Sequence, residues 1–155
     1  MSNANSSPYI TGLVQHSAPV SSIQKLKRVE NNAARIVLQA PRRSHAKPLM
    51  HQLHWLPVQH RIDYKVSVLT YKTLNTSVPR YLSQHINRRV NARTLHSTAT
   101  PLLILLFAHT DFVKRSFRCA TPSVWNSLPK SVIGSDSLSV FKSRLKRFLF
   151  HKSFN

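Results

Sequence analysis

Three groups of lysines and arginines are the part of this sequence with the clearest chemical meaning. The chain holds 23 lysines and arginines against 4 aspartates and glutamates, which gives a formal net charge of +19. Grouped cations of this kind bind the phosphates of RNA or DNA, with affinity but no choice of sequence. An ordinary solvated surface is the alternative. The first basic cluster is Lys25, Lys27, Arg28, Arg35, Arg42, Arg43 and Lys47; the second is Arg88, Arg89 and Arg93; the third is Lys142, Arg144, Lys146 and Arg147.

The acidic residues are too few and too scattered for catalytic sites that depend on carboxylates. They are Glu30, Asp63, Asp111 and Asp136. A two-metal nucleotidyl-transfer site needs converging carboxylates to hold its cations, and a glycoside hydrolase needs a carboxylate pair. The sequence therefore predicts that this chain by itself is not an enzyme and holds no cofactor.

Histidine and cysteine offer two further kinds of chemistry. His51 and His54 have the spacing of one pair of zinc ligands on a helix, but a structural zinc site usually has two close pairs and the second is missing. We therefore predict surface histidines and no metal. Cys119 beside a histidine could form a nucleophilic pair, although the sequence offers no acid to orient it. One cysteine also excludes an internal disulfide and weakly indicates a reducing compartment.

The two tryptophans could stack on unpaired bases. Trp125 lies in the apolar, turn-rich stretch "SVWNSLPKSV", and Trp55 in "LHWLPV". Because leucine and proline follow each tryptophan within a few residues, we predict that both rings pack in a core.

The N-terminal part of the chain predicts a lead-in followed by a helix. Residues 1–20 are small and polar and lack the features of a secretory signal, so we interpret them as a flexible lead-in. Ser21 or Ser22 can cap a helix that ends at Pro41. Its apolar residues form one stripe, which is too short for a coiled-coil seam and is predicted to be a core face. The stripe consists of Leu26, Val29, Ala33, Ile36 and Ala40.

Residues 21–86 are predicted to form one helical segment. Ser44 can cap a short helix, Pro57 can begin the next, which runs to about Leu74, and a proline-started turn follows at 78–86. Residues 87–100 have no periodicity and are interpreted as an exposed basic loop.

Residues 101–155 are predicted to contain a hairpin, a turn and a basic helix. The runs "LLILLFA" and 112–120 resemble two short strands, and Trp125 is placed in a proline-started turn closed by Pro129. The last helix follows Ser137, with Phe141 and Leu145 on its apolar face. A helix of this kind can also lie on an anionic membrane, but nothing else in the chain indicates a membrane partner. The overall prediction is a mainly α fold of several short helices with a small β-hairpin.

Three stretches resemble the C-terminal end of LINE-type reverse transcriptases, the non-LTR retrotransposons of the jockey-like group. They are residues 23–75, with "KRVENNAARIVLQA" and "LHWLPVQHR"; "VPRYLSQHI" at 78–86; and "RSFRCATPSVWNSLPKSVIGSDSLSVFKSRLKRFLF" at 115–150. The family has a "LQRVQNAAAR" helix, a "LHWLPV" element, a "WNSLP" turn and a closing basic helix in this order. The resemblance implies a segment beyond the polymerase palm that contacts nucleic acid.

The sequence also departs from the family's pattern at two places, and these departures limit which properties of the family the resemblance implies for this chain. The hydrophobic-Ala-Asp-Asp signature of the palm has no counterpart, so the resemblance transfers no catalytic residue. Residues 101–113 lack the basic, Arg-Thr-rich strand pair expected there. The function predicted is a nucleic-acid-contacting segment, a fragment of a larger RNA-directed DNA polymerase, inactive alone, located in the nucleus or cytoplasm and not secreted. Its partners would be an RNA or DNA backbone and the missing polymerase core. A non-functional retroelement relic and a small basic RNA-packing protein are the alternatives.

Overall fold

The structure of the protein, a computed structural model, describes residues 18–89 and 101–155. Within these ranges the chain is mainly helical, which confirms the predicted fold class. The predicted lead-in and the predicted basic loop fall mostly on residues 1–17 and 90–100, outside the described ranges. The described helices are α1 (Val20–Val37), α2 (Ala46–Gln52), α3 (Val58–Thr76), α4 (Arg80–Ser83), α5 (Asp111–Lys114), α6 (Phe117–Asn126), α7 (Lys130–Ile133) and α8 (Leu138–Phe154).

Helix α3 is the central element of the fold. It packs against α1, α4, α6 and α8. Its buried side chains include Ile62, Val66, Leu69, Thr70 and Thr73. The two threonine hydroxyls donate to the carbonyls of Val66 and Leu69, at 2.8 and 2.9 Å. Because these hydroxyls are satisfied within the helix, they can be buried without a large desolvation cost.

The main core lies between α3, α6, α7 and α8. Trp125 is 2% exposed and Phe141 is fully buried, and their ring centroids are 5.9 Å apart. Tyr71 stacks on Phe141 at 4.3 Å, and its hydroxyl donates to the carbonyl of Ser135 at 2.7 Å. The Trp125 segment and the last helix therefore share one core, and the prediction that the Trp125 ring packs in a core is confirmed.

Several predicted helix boundaries are confirmed. Pro57 and Pro79 directly precede α3 and α4, where their missing amide hydrogens cost no helical hydrogen bond. Helix α3 ends at Thr76, close to the predicted end. At the start of α8, the Ser137 hydroxyl accepts from the Val140 amide at 3.3 Å. Trp125 differs from its prediction, since it belongs to helix α6 and not to a short turn.

The predicted β-hairpin is wrong for the described residues. Residues 111–114 and 117–126 are helical, and the extended chain near 103 has only a single bridge, between Arg88 and Leu103. Side chains of α6 hold the extended segment instead of a second strand. The Asn126 amide donates to the Leu103 carbonyl and accepts from its N–H, both at 2.9 Å, and Trp125 Nε1 donates to the Pro101 carbonyl at 3.0 Å.

The start and end of α1 also differ from the prediction. The helix begins at Val20 after Pro19, with no side-chain cap, so Ser21 and Ser22 lie inside it. It ends at Val37, before Pro41 is reached, because Gln39 adopts a left-handed backbone with φ of 50°. Similarly, His45 and not Ser44 is the residue before α2.

The predicted core face of α1 is largely exposed. Val29 and Ile36 are 65% and 76% exposed, while the buried residues of the helix are Glu30 and Ala34. At about 100° per residue, the buried face lies roughly a quarter turn from the predicted stripe. Polar contacts explain this orientation of α1, because the Glu30 carboxylate pairs with Arg61 and accepts a hydrogen bond from the amide of Val58.

Candidate nucleic-acid interface

The first basic cluster provides most of the exposed cations. Lys25, Lys27 and Arg28 project from the N-terminal half of α1, and Arg42 and Arg43 lie in the turn between α1 and α2. All five are exposed, and none of their side chains forms an ion pair or hydrogen bond with a residue in 18–89 or 101–155. Lys47, in the first turn of α2, is exposed as well.

Arg35 belongs to the same cluster in sequence but has a structural role. Its Nε donates to the Ser44 carbonyl at 3.0 Å and its Nη1 to Asn32 Oδ1 at 3.1 Å. The half-buried guanidinium therefore joins α1 to the turn that precedes α2. We expect it to position Arg42 and Arg43 by fixing that turn.

The second and third clusters are partly used by the fold. Arg88 Nη2 donates to the Leu74 carbonyl at 3.0 Å, and Arg144 Nη1 to the Ser131 carbonyl at 2.9 Å. Lys142 is half-buried and Arg89 is exposed. Arg93 lies outside the described residues. Lys146 and Arg147 are exposed on α8.

His60 on α3 lies near α1 and α8, the helices that carry residues of the first and third basic clusters. Its Nδ1 lies 3.0 Å from the hydroxyl of Ser153 on α8. Burial lowers the pKa of His60 below the ordinary value of 6.5; Asp63 opposes this change, while Lys152 of α8 and Lys27 of α1 lower the pKa further. Helices distant in sequence thus place positive charge around one histidine, an association that residue spacing could not reveal.

Two neighbouring grooves are lined in part by cations of the third cluster, Lys146 in both and Arg147 in the second. The first, of about 670 Å³, is bounded by α1, the segment before α3, and α8, and Trp55 and Tyr64 line it. The second, of about 460 Å³, lies between α2 and α8. His54 and Lys146 line both grooves and so join them.

The two tryptophans have different environments. Trp125 is buried, as predicted. Trp55 is only half-buried and lines the first groove, so the prediction that it packs in a core is incomplete. The sequence could not separate the two because both are followed by leucine and proline.

The role of Glu30 was not predicted from the sequence. Its side chain is 5% exposed, and the carboxylate pairs with Arg61 Nη2 and accepts from the Val58 amide at 3.0 Å at the start of α3. A carboxylate at a helix N-terminus also interacts favourably with the helix dipole. The one sequence signal was a lone acidic residue on a predicted helix of a strongly basic chain.

The described residues offer little for metal or nucleophilic chemistry. No three histidine, cysteine, aspartate or glutamate side chains in 18–89 and 101–155 come together to hold a metal ion. Cys119 is buried. The Ser153 hydroxyl near His60 donates to the Leu149 carbonyl at 2.7 Å, so the pair joins α3 to α8. No helix of the described chain has both the length and the apolar content to cross a membrane.

Comparison with known proteins adds no relative. No family model, no curated protein and no solved structure matches the chain. The similarity to LINE-type reverse transcriptases therefore rests on the residues and their order alone.

Proposed function

We propose that the chain is the C-terminal, nucleic-acid-contacting segment of a retrotransposon RNA-directed DNA polymerase, and that it binds the phosphate backbone of RNA or DNA. The observation that carries nucleic-acid binding is the set of five exposed cations on α1 and the following turn, which have no ion pair with any residue that the structure describes. Two of the four acids are engaged elsewhere: Glu30 is buried against Arg61, and Asp111 pairs with Lys114 at 3.2 Å.

Phosphate contact follows from the chemistry of this surface. Each lysine or arginine that neutralises a phosphate releases a condensed counterion, so the affinity falls as salt is added. Such contacts position a nucleic acid but do not read its bases. The segment would hold template or target nucleic acid for a polymerase core that supplies the metal-binding carboxylates. The purified chain is expected to give no primer extension with Mg²⁺ above a control without protein.

The test is fluorescence anisotropy with a labelled duplex at several salt concentrations. If about six phosphates are neutralised, the affinity should fall on the order of a thousandfold between low and moderate salt. Arg42→Ala with Arg43→Ala should weaken binding to all nucleic acids alike and reduce the salt slope by about two.

The matched control is Lys114→Ala with Arg118→Ala, which removes the same charge outside the three clusters. It should leave the slope nearly unchanged, since Lys114 is already paired with Asp111. Binding that is flat with salt, or absent while circular dichroism shows a folded protein, contradicts the proposal.

A further inference from the structure

Four aromatic rings form a continuous cluster in the second groove, between α2 and α8. His54 stacks nearly parallel on Phe150, with centroids 5.6 Å apart and an interplanar angle of 13°. His51 contacts Phe150 at 5.3 Å and Phe154 at 5.1 Å, and the two phenylalanines are 4.7 Å apart. Both histidines are exposed and both phenylalanines are half-buried. The phenylalanine rings therefore pack against the histidine rings, and the two histidine rings present aromatic surface to solvent.

The charged side chains beside these rings are positive. Lys146 and Arg147 line the same groove, and none of the described side chains that line it is an aspartate or glutamate. A groove that combines flat aromatic groups with cationic side chains, and has no acidic side chain, complements a ligand that has both π-faces and negative charge.

Unpaired nucleotides have that combination. Proteins bind single strands by tracking the backbone with cations while successive bases stack on aromatic side chains. A duplex offers the same phosphates, but its bases already stack on each other and are not free to stack on protein rings. The two features of the groove are thus used together only by a single strand.

We propose that the second groove is a single-strand binding site, in which bases stack on the rings of His51 and His54 and the phosphates lie along Lys146 and Arg147. The proposal rests on the proposed function, because it assumes that the exposed cations of the chain contact nucleic acid. It adds a preference for unpaired over paired strands.

The experiment compares three labelled probes of equal charge per strand: an oligo(dT), an abasic oligodeoxynucleotide of the same length, and a duplex. The variant is His51→Gln with His54→Asn, which removes both exposed rings and no lysine or arginine. Asparagine is chosen at 54 because His54 has a left-handed backbone, with φ of 53°, which asparagine tolerates well. The control is His45→Gln with His85→Asn, two exposed histidines outside the groove.

The wild-type chain should bind oligo(dT) about tenfold more tightly than the abasic strand, the effect of stacking by about one base. The ring variant should lose most of this difference and keep its duplex affinity and salt slope, while the control keeps all three. Circular dichroism checks that each variant is folded.

Three outcomes would overturn the proposal. If oligo(dT) and the abasic strand bind equally and with steep salt dependence, phosphate contact stands and base stacking does not. A dT preference that survives in the ring variant places stacking elsewhere. Poly-Glu, an acidic peptide without aromatic rings, provides the third outcome. If it displaces oligo(dT) and binds the ring variant less tightly than the wild type, the groove binds acidic protein segments. Loss of binding to every probe would instead refute the proposed function itself.

Discussion

The C-terminal core and helix α1 use apolar residues in different ways. In the core, Trp125, Phe141 and Leu145 are buried almost completely between α3, α6 and α8. On α1, Val29 and Ile36 are mostly exposed, the buried residues are Glu30 and Ala34, and hydrogen bonds of Glu30 and Arg35 attach the helix. The core is held by burial of large side chains, whereas α1 is held mainly by polar contacts.

The difference explains how so basic a chain can fold and still present its charge. The core contains no lysine or arginine among its buried residues, so the cations of α8 stay at its surface. Helix α1 contributes little burial, and its exposed lysines and arginines can face a ligand. We therefore expect substitutions in the core to change stability strongly, and substitutions on α1 to act mainly on binding.

The largest effect is expected at Trp125. Trp125→Ala removes a buried indole that packs against Phe141 and donates to the Pro101 carbonyl. The free energy of unfolding should fall by roughly 3–5 kcal/mol, a large share of the total for a small domain. Urea denaturation followed by circular dichroism measures this, and a change below about 1 kcal/mol would contradict a shared core.

A smaller loss is expected at the attachment of α1. Arg61→Met leaves one oxygen of the buried Glu30 carboxylate without a partner, and also removes the hydrogen bond from Arg61 Nε to the Leu56 carbonyl at 2.8 Å; the loss should be about 1–3 kcal/mol. Because the Arg61 side chain is 51% exposed, the cost should lie at the lower end of this range. Lys25→Met, the same change on the exposed surface, should have little effect in the same urea titration. Equal effects of the two would show that Glu30 does not hold α1.

His60 predicts a pH dependence of stability. Because the folded-state pKa is lowered from 6.5, the unfolded chain takes up a proton at His60 more readily than the folded chain. The stabilisation of the folded state by neutral His60 is fully present above pH 6.5, and it is lost as the pH falls through the folded-state pKa. Urea midpoints across this window should depend less on pH in His60→Gln than in the wild type. The exposed-site control His85→Gln should keep the wild-type slope; a slope unchanged in His60→Gln would contradict the prediction.

The smallest effects are expected on the exposed apolar face of α1. Val29→Gln and Ile36→Gln should each change the free energy of unfolding by no more than about 0.5 kcal/mol, because neither side chain is buried. Thermal denaturation can measure this. A loss of about 2 kcal/mol or more would mean that this face is covered, and the contrast with the core would disappear.

The sequence predicts those parts of the fold that depend on local signals. Prolines 57 and 79 and Ser137 mark helix starts correctly because their effects act within one turn. The face of α1 could not be predicted, since the pairing of Glu30 with Arg61 joins residues 31 positions apart. The hairpin failed for a similar reason: Asn126, 23 positions away, satisfies the Leu103 backbone that a strand would have paired.

The sequence identifies the cations of the candidate site but not the shape of their surroundings. Most of the cations of the first cluster are exposed, whereas Arg35, Arg88 and Arg144 donate to backbone carbonyls. The ring cluster of His54 and Phe150 brings together residues from α2 and α8, and no periodicity within one helix reports such a contact.

Hydrogen exchange with and without a short nucleic acid tests the central claim most directly. Exchange of amides in residues 20–37 should be fast in the free chain, because Glu30 and Ala34 are the buried residues of α1, and should slow when a short duplex is added. Amides of residues 117–133 should exchange slowly in both states. Unchanged exchange in 20–37 at a saturating concentration, or slowing confined to 117–133, would contradict the account that the core supplies stability and α1 supplies binding.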